Sequence, residues 1–582
     1  MLLKTATLGC KVNQYETQFV REALERIGYR VAAQSREQLV AGRSEAASFC
    51  CDLQQESADL VIVNTCTVTA ESDLKSRKLI RRMAKLNPQA QIVVMGCYAT
   101  RCATSATDAT SATTNADEIR QMPQVVEVIT DKRDIPAFLK RRGVIDVPTG
   151  IASFGGSSLA ATGSLLRHRA YVKVQDGCRV GCSYCIIPKV RPYLLSRPVG
   201  EVLDEIRRLV DSGYREIVLV GIHLGHYGLN ELQVAAKGSS FAAPRNPLLP
   251  CDRDEERVAM LPFDTQTEQK PLIAGNVRKG SSGAATCNLS QLVERIVQLD
   301  GEFRLRVSSM EAIEVSDALI DLMRDFPKKL CPHLHLSMQS GSDEVLRNMR
   351  RRWLSGPFFD RCEQIKAAID RVALTTDVIV GFPGETEAQF VETCDMVERI
   401  GFSKVHVFPF SPREGTDAAA MPNQIAASEK ERRVTHLMQL AERLRENFAA
   451  SQIGQTVQVL FETRRSVSGR FCLDSASVPG RFCLDSASVP GRFCLDSASV
   501  PGRFYSDSAS VSGRFCLDSA SVPGRFCSDS ADAMLVGTSD RYLRTQVPCS
   551  TVADCGVLTD VIVTASVGEE LIGVLPSVMP DG

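Results

Sequence analysis

No stretch of the sequence is apolar for the roughly 20 residues that a membrane helix needs; the longest apolar runs, such as IVLV at 217–220, are strand-sized. The opening MLLKTATLGC has neither the long apolar core nor the small-residue cleavage site of a secretory leader, so a cytoplasmic protein without membrane attachment is expected. Neither sign of charge is in surplus: 68 Lys and Arg stand against 69 Asp and Glu, for a net charge of -1. No whole-molecule positive field draws nucleic acid in, and RNA binding has to come from local patches. The chain is neither short nor polar enough for one compact domain or for disorder throughout, at 582 residues with 44% hydrophobic and 24% charged.

What is present is a βα alternation in two series. Apolar runs at 4–8, 59–63 and 91–95 read as strands, and 17–27 and 73–86 as helices, the second with Leu79, Ile80, Met83 and Leu86 on its apolar side. Strands separated by helices imply a parallel sheet with crossovers, and its last piece is the segment at 125–139. A Gly, Ser and Ala-rich linker at 150–163 follows. The second series holds six strands, YVKVQ (171–175), EIVLVGI (216–222), FRLRVSS (303–309), HLHLSM (333–338), TTDVIVGF (375–382) and KVHVFPF (404–410), which predict a partial or complete βα barrel. From about 451 the pattern turns to short β runs at 456–462, 542–547 and 557–567, a small β-barrel or sandwich. The expected layout is α/β, with an N-terminal parallel-sheet domain at 1–148, a TIM-like barrel at 164–448 and a β domain at 449–580.

The β domain is interrupted by an 11-residue tandem repeat, GRFCLDSASVP, across 469–530. Gly and Pro in nearly every unit exclude a continuous helix, and the unit is shorter than those that stack into solenoids, so a flexible loop is expected. The repeat cysteines recur because the unit recurs. Three further stretches read as insertions, 32–57, 99–116 and 231–288, the last following the second barrel strand and so expected on the active-site face.

In a reducing compartment, cysteines that remain clustered point to metal or catalysis. Cys178, Cys182 and Cys185 form C-x3-C-x2-C directly after the first barrel strand. Three thiolates on one loop can hold three irons of a 4Fe-4S cluster and leave the fourth iron open; zinc would want a fourth residue. Cys10, Cys66 and Cys97 are far apart in sequence, yet each is expected to end a strand of the first sheet, where ligands of open parallel sheets gather, so a second three-cysteine site is expected.

The C-x3-C-x2-C loop, with Tyr184 before its last cysteine, resembles the radical S-adenosylmethionine superfamily. Two such trios in successive α/β units followed by a β module resemble its methylthiotransferases, whose C-terminal module is the OB-like, RNA-binding TRAM domain. TLGCKVNQYET (7–17), RVSSMEAIEV (306–315), CPHLHLSMQSGSDEVLRNMRR (331–351) and KVHVFPFSPREGT (404–416) resemble most the branch that modifies threonylcarbamoyladenosine. The resemblance implies two 4Fe-4S clusters and S-adenosyl-L-methionine as cofactors. It implies a radical-generating cluster on Cys178, Cys182 and Cys185, and a sulfur-donating cluster on Cys10, Cys66 and Cys97. The implied reaction replaces the C2 hydrogen of the adenine at position 37 of tRNA, 3′ to the anticodon, with a methylthio group. Such a carbon has no leaving group, so a cofactor radical must supply the reactivity. No residue beyond the cluster ligands is nominated as catalytic.

Further expected partners are an electron donor such as a flavodoxin or ferredoxin and a sulfur donor of unknown identity. Expected cofactor and substrate contacts at the strand ends are Gly221, His223, Gln339, Ser340, Gly381 and Gly384, with Tyr184 beside the cluster; His223 also reads as an ordinary satisfied polar residue. Arg191 and Arg197 stand in a loop where the family usually carries an arginine-rich string. Basic surface for RNA is sought at Lys75, Lys78, Arg82 and Lys85 and at Arg350, Arg351 and Arg352, although such runs are commonly a solvated face. Open alternatives are action on isopentenyladenosine in tRNA, action on ribosomal protein S12, and a non-catalytic iron-sulfur RNA-binding protein.

Overall fold

The computed structural model describes residues 1–31, 57–104, 119–147, 168–229, 287–466, 470–474, 514–518, 533–548 and 555–576. The first unit is a parallel sheet of five strands, β1 (Leu2–Thr7), β2 (Arg30–Val31), β3 (Leu60–Thr65), β4 (Gln91–Gly96) and β5 (Val125–Val128), in the order β2-β1-β3-β4-β5. Strand β3 reads LVIVNT and is buried along its whole length, because helices cover both faces of the sheet. Leu60 and Ile62 join one apolar cluster with Val20, Leu24 and Phe138, while Val61 and Val63 join another with Ile80 and Met83.

Helix α1 (Lys11–Glu25) begins six residues earlier than its apolar spacing predicts, because Cys10 in extended conformation caps it. Helix α2 (Ala70–Leu86) is capped by the Thr69 hydroxyl, which accepts the Ser72 N–H. Ile80 and Met83 are buried as expected, but Leu86 is 41% exposed, since the helix ends there and Asn87 turns inward to bond the Met83 carbonyl. The stretch at 99–104, read as part of an insertion, completes helix α3 (Cys97–Thr104).

The six expected barrel strands are β6 (Arg169–Lys173), β7 (Glu216–Val220), β8 (Arg304–Val307), β9 (His333–His335), β10 (Ala373–Val380) and β11 (Lys404–Pro409). They form two parallel three-stranded sheets, β6-β7-β8 and β9-β10-β11, connected by the bridges Leu305 to Leu330 and Met310 to Leu336. Alternate residues divide between two surroundings. Val172, Leu219, Leu305, Leu334 and Val378 pack outward in one core with the surrounding helices, and Arg169, Glu216, Arg306, His335 and Asp377, one residue out of step, face the lumen. Helix α1 lies against β6, with Val12 packed on Val218 and Val220, so the first unit closes part of the lumen.

The last unit is a closed barrel rather than a sandwich. Its strands β12 (Thr456–Ser466), β13 (Ala533–Ser539), β14 (Arg544–Pro548), β15 (Leu558–Val567) and β16 (Glu570–Val574) run in the order β12-β13-β14-β16-β15 around Val457, Phe461, Leu535, Val547, Val561 and Leu571. Within the repeat, Arg470–Asp474 and Arg514–Asp518 are parallel strands with Phe471 opposite Phe515, so a plain loop does not describe these ten residues. The rest of the repeat, the linker at 150–163, and 32–56, 105–116 and 231–286 lie outside the described residues. Among the described residues no helix is long and apolar enough to cross a membrane.

Candidate functional site

The C-x3-C-x2-C loop leaves β6 through a two-residue antiparallel pairing of Gln175–Asp176 with Leu195–Ser196. Gly177 has φ +82°, and a Cβ there would stand 1.9 Å from the Tyr193 carbonyl oxygen, so only glycine lets the loop turn back here. The Cys178 N–H donates to the Arg191 carbonyl at 3.3 Å and the Cys185 N–H to the Cys182 carbonyl at 3.0 Å. The three thiols lie within electrostatic reach of one another. Burial pushes Cys185 up to about 12 and raises Cys182, against the opposing charge of Arg351, whose Nη1 is 3.3 Å from Cys182 Sγ.

His223 stands beside this loop. Its Nδ1 is 3.5 Å from Cys178 Sγ, its Nε2 is 2.7 Å from Glu314 Oε1, and its ring stacks on His226 at 3.8 Å. Burial works against the charged imidazole, but the contacts with Cys178 and Glu314 prevail and push its pKa up to about 9. Gln175 ties the region together: its Oε1 accepts the His223 N–H at 2.8 Å and its Nε2 donates to the Gly177 carbonyl at 2.7 Å. A Cβ on Gly221 would press on Gln175 and Leu224 at 3.0–3.1 Å. Tyr184 packs with Val345, Met349, Phe382 and Phe410, and its hydroxyl is 3.3 Å from Arg351 Nη1.

The remaining expected contacts follow the later barrel strands β9 and β10. Gln339 has φ +71° and donates its N–H to the Asp377 carbonyl at 2.9 Å, beside the lumen. Ser340 is fully buried, with its hydroxyl 3.1 Å from that of Thr393 and accepting the Ser342 N–H, which leaves it no exposed surface for a ligand. Gly381, φ +70°, passes Lys430 so closely that a Cβ would meet its Cγ at 2.4 Å; Gly384, φ +78°, donates to the Asn423 carbonyl at 2.9 Å. These two glycines serve a turn against the helix Ala427–Ala450.

The other trio gathers at the carboxyl ends of β1, β3 and β4, although Cys10 does not end a strand: β1 stops at Thr7, and Gly9 at φ +104° turns the chain so that Cys10 caps α1. A Cβ on Gly9 would lie 3.1 Å from Cys66 Sγ. Cys66 directly follows β3, and Cys97 is the first residue of α3. Asn13 clasps the loops, its Nδ2 donating to the carbonyls of Leu8 at 2.8 Å and Thr65 at 3.0 Å. Burial raises Cys10 and Cys66; Cys97 is held below the usual thiol range despite its burial, by Arg191 and Lys132, which donate to its sulfur at 3.3 and 3.5 Å.

Arg191 connects the two loops. Fully buried, it reaches Cys97 and Asn13 of the first unit, Glu16 of α1 at 2.9 Å and Asp176 of the barrel at 2.7 Å, while its own carbonyl receives the Cys178 N–H. Arg197 bonds the Tyr15 hydroxyl and Glu205. In the run Arg350 to Arg352, Arg350 pairs with Asp417, Arg351 with Cys182 and Glu311, and Arg352 with Glu311 and Glu314. Lys75, Lys78, Arg82 and Lys85 do lie on the exposed side of α2. Sequence reasoning missed Asn13, Glu16, Glu311, Glu314 and Arg351 as parts of the site, since each is polar in a segment without a metal-ligand spacing.

The chemistry of the donors fits iron-sulfur clusters. Two sets of three thiols converge, with Arg351 donating to Cys182 and Arg191 and Lys132 to Cys97, contacts that favour the thiolate a metal requires. Burial disfavours the thiolate at Cys10, Cys66, Cys182 and Cys185. Their ionisation is therefore linked to metal binding.

Two family models match the chain, an uncharacterized protein family, UPF0004, at residues 36–115 and the radical SAM superfamily at 283–397. The threonylcarbamoyladenosine tRNA methylthiotransferase MtaB of Bacillus subtilis is 33% identical over 463 residues, covering 78% of this chain and 84% of the relative. The chain belongs to the radical S-adenosylmethionine methylthiotransferase family. A tRNA-2-methylthio-N(6)-dimethylallyladenosine synthase of a Mycobacterium species is 30% identical, covering 78% of this chain and 76% of the relative. Among solved structures, the radical S-adenosylmethionine methyltransferase TsrM of Kitasatospora setae gives a TM-score of 0.39 at 13% identity, over 72% of this chain and 77% of that one, too low to add to the family assignment. In this methylthiotransferase the matched segment at 36–115 contains Cys66 and Cys97, whereas Cys10 and the C-x3-C-x2-C loop fall outside both models.

Proposed function

We propose that this chain methylthiolates C2 of N6-threonylcarbamoyladenosine at position 37 of tRNA, with two 4Fe-4S clusters and S-adenosyl-L-methionine as cofactors. The observation that carries this reading is the pair of cysteine trios, one on each unit, whose loops are joined by the single buried side chain of Arg191. The threonylcarbamoyl branch is favoured because relatives bearing that name reach 33% and 32% identity over 78–79% of this chain.

Cys178, Cys182 and Cys185 would hold the radical-generating cluster, and Cys10, Cys66 and Cys97 the cluster that carries the sulfur. When bound, the first would supply the one electron for reductive cleavage of S-adenosyl-L-methionine to methionine and a 5′-deoxyadenosyl radical. The residues around them act by position. Arg351 and Arg191 hold charge against the sulfurs, Gln175 fixes His223 beside Cys178, and α1 brings the second trio onto the lumen. In this reading the domains are 1–148, 164–448 with its insertion at 231–288, and a TRAM-like unit at 449–580 with the repeats at 469–530. The last unit adds tRNA affinity through backbone contacts. A flavodoxin or ferredoxin supplies electrons in the cytoplasm.

The test is anaerobic reconstitution of the full chain, followed by incubation with reductant, S-adenosyl-L-methionine and tRNA. A methylthio derivative of threonylcarbamoyladenosine in the nucleoside digest is expected. Modification of dimethylallyladenosine or of ribosomal protein S12 instead would move the substrate, and absence of 5′-deoxyadenosine would leave a non-catalytic RNA-binding protein.

A further inference from the structure

A second polar cluster, unconnected to either trio by sequence motif, sits in the lumen. His335, Asp377 and His406 come from the adjacent strands β9, β10 and β11, and their side-chain ligand atoms lie within 4.8 Å of one another. His335 Nε2 is 3.3 Å from Asp377 Oδ2, its Nδ1 is 3.0 Å from the Thr375 hydroxyl, and its ring centroid is 6.0 Å from that of His406. All three are half-buried, while the alternating Leu334, Leu336 and Val378 pack away from them into the helical layer. Half-buried imidazoles and a carboxylate lining a lumen keep hydrogen-bonding capacity beyond the contacts they make with one another and with Thr375.

Arg351 and Lys11 connect the surroundings of this cluster with the two cysteine sites. Two residues beyond His335, the Ser337 carbonyl accepts from Arg351 at 3.0 Å, and the same guanidinium donates to Cys182. The other connection is Lys11, the residue after Cys10, whose ammonium is 6.0 Å from the Tyr542 ring centroid and within electrostatic reach of Asp377 and His406. Lys404 acts on His406 as well. The local field is positive: Asp377 is the cluster's one carboxylate, and the nearby Glu216 is already enclosed by Arg169, Arg304 and Arg306. Two ammonium groups beside the cluster disfavour a dication and favour an anion. Burial, with Lys404, His335 and Lys11 acting against Asp377, holds His406 down to about 4, so at neutral pH its imidazole offers one donor and one acceptor.

We infer that Lys11, His335, Asp377 and His406 form the subsite for the anionic side chain of the modified adenine. This rests on the threonylcarbamoyl reading above. That substituent carries a carboxylate, a hydroxyl and a urea group, whereas a dimethylallyl group has no polar atom. Lys11 pairs with the carboxylate, and the two imidazoles with Asp377 take the hydroxyl and urea groups. Such a site rejects the apolar analogue because its own buried polar groups would be left unpaired.

The test uses the reconstituted full chain with two tRNAs, one bearing threonylcarbamoyladenosine and one dimethylallyladenosine at position 37. Lys11→Met and His406→Leu are each expected to raise KM for the first tRNA about 10- to 100-fold, the loss of one charge-assisted or buried hydrogen bond, with kcat and iron content near those of wild type and Lys11→Arg restoring most of the affinity. If Lys11→Met sheds iron because it adjoins Cys10, His406→Leu, remote from the ligands, decides. Wild-type turnover with KM unchanged in both variants overturns the subsite and leaves the substrate reading intact. A wild-type enzyme that ignores threonylcarbamoyl tRNA overturns both. Stoichiometric zinc or manganese that is lost with His406→Leu while iron is retained would make the cluster a metal site and overturn the inference.

Discussion

Glu216 offers a direct test of how the barrel is fastened to the C-terminal unit. Its side chain is fully buried at the start of β7, 2.7 Å from Arg169 Nε, 2.6 Å from Arg304 Nη2 and 3.0 Å from Arg306 Nε. Arg304 and Arg306 are each 1% exposed, and their other N–H groups donate to carbonyls of the closed barrel and its turn, Gln458 at 2.6 Å, Thr538 at 2.8 Å, Ser539 at 3.0 Å and Asp540 at 2.9 Å. Glu216→Gln keeps the shape and removes the charge, leaving three guanidinium groups around a neutral amide. Breaking a buried ion pair costs about 3–5 kcal/mol, which for a domain of this size lowers the melting temperature by about 10 °C. Burial alone would raise the Glu216 pKa, but Arg169, Arg306 and Arg304 hold it well below the usual carboxylate range. A depressed carboxylate stabilises the fold above its unfolded pKa, and that contribution is lost as pH falls towards the folded value. The gap between wild type and variant should therefore be full at neutral pH and shrink below about pH 4.5. The assay is thermal unfolding by circular dichroism from pH 3 to 8, with iron content as a control for the distant clusters. Adding Arg306→Met should cost less on the Glu216→Gln background than alone. A variant that melts within about 2 °C of wild type at pH 7, about 1 kcal/mol by the same scaling, would refute the reasoning.

Other substitutions separate the two cluster sites. Cys97→Ala and Cys182→Ala should each lower iron from roughly eight to roughly four per chain, measured by colorimetric iron assay; a fall to zero in either would mean the two sites are not independent. Arg351→Leu removes the donor to Cys182 Sγ and the Tyr184 hydroxyl. It should keep the iron but slow formation of 5′-deoxyadenosine about 10- to 100-fold, the usual cost of losing a hydrogen bond to a metal ligand. Gly177→Ala forces a Cβ onto the Tyr193 carbonyl at φ +82°, so cluster assembly on the barrel should fail while the site on Cys10, Cys66 and Cys97 still fills, as read by electron paramagnetic resonance of the reduced protein. Deletion of 469–530 tests the repeat by gel shift, where tRNA affinity unchanged or stronger would exclude it from RNA contact.

The barrel was legible because each of its strands is a β-rich run with helical sequence between, and the six runs fall on β6 to β11 with shifts of a few residues. The gathering of Cys10, Cys66 and Cys97 near the carboxyl ends of β1, β3 and β4 was legible for the same reason, although Cys10 follows a glycine turn and does not end its strand. Two strands of the closed barrel were not. Ala533–Ser539 reads AMLVGTS and Glu570–Val574 reads ELIGV, short and glycine-containing, so neither carries a strong strand signature until Val536 finds Gln546 and Leu571 finds Thr545 across the barrel. The electrostatics were also hidden. Arg351 looked like part of a basic stripe because the sequence shows its neighbours Arg350 and Arg352, but tertiary folding sends Arg350 to Asp417 while Arg351 and Arg352 share Glu311. Arg191 stood in a loop that matched its family string only in part, and its partners Asn13 and Glu16 are 178 and 175 residues away.

The division of labour along the barrel strands has an evolutionary consequence. Each stave is fastened from behind, by leucine and valine gripping the helices, while the forward-pointing His335, Asp377 and His406 lie mainly against one another. A lineage can therefore rewrite His335, Asp377 and His406 and change which base it reads, provided that it spares Glu216 and its arginines, which bolt the frame to the last unit.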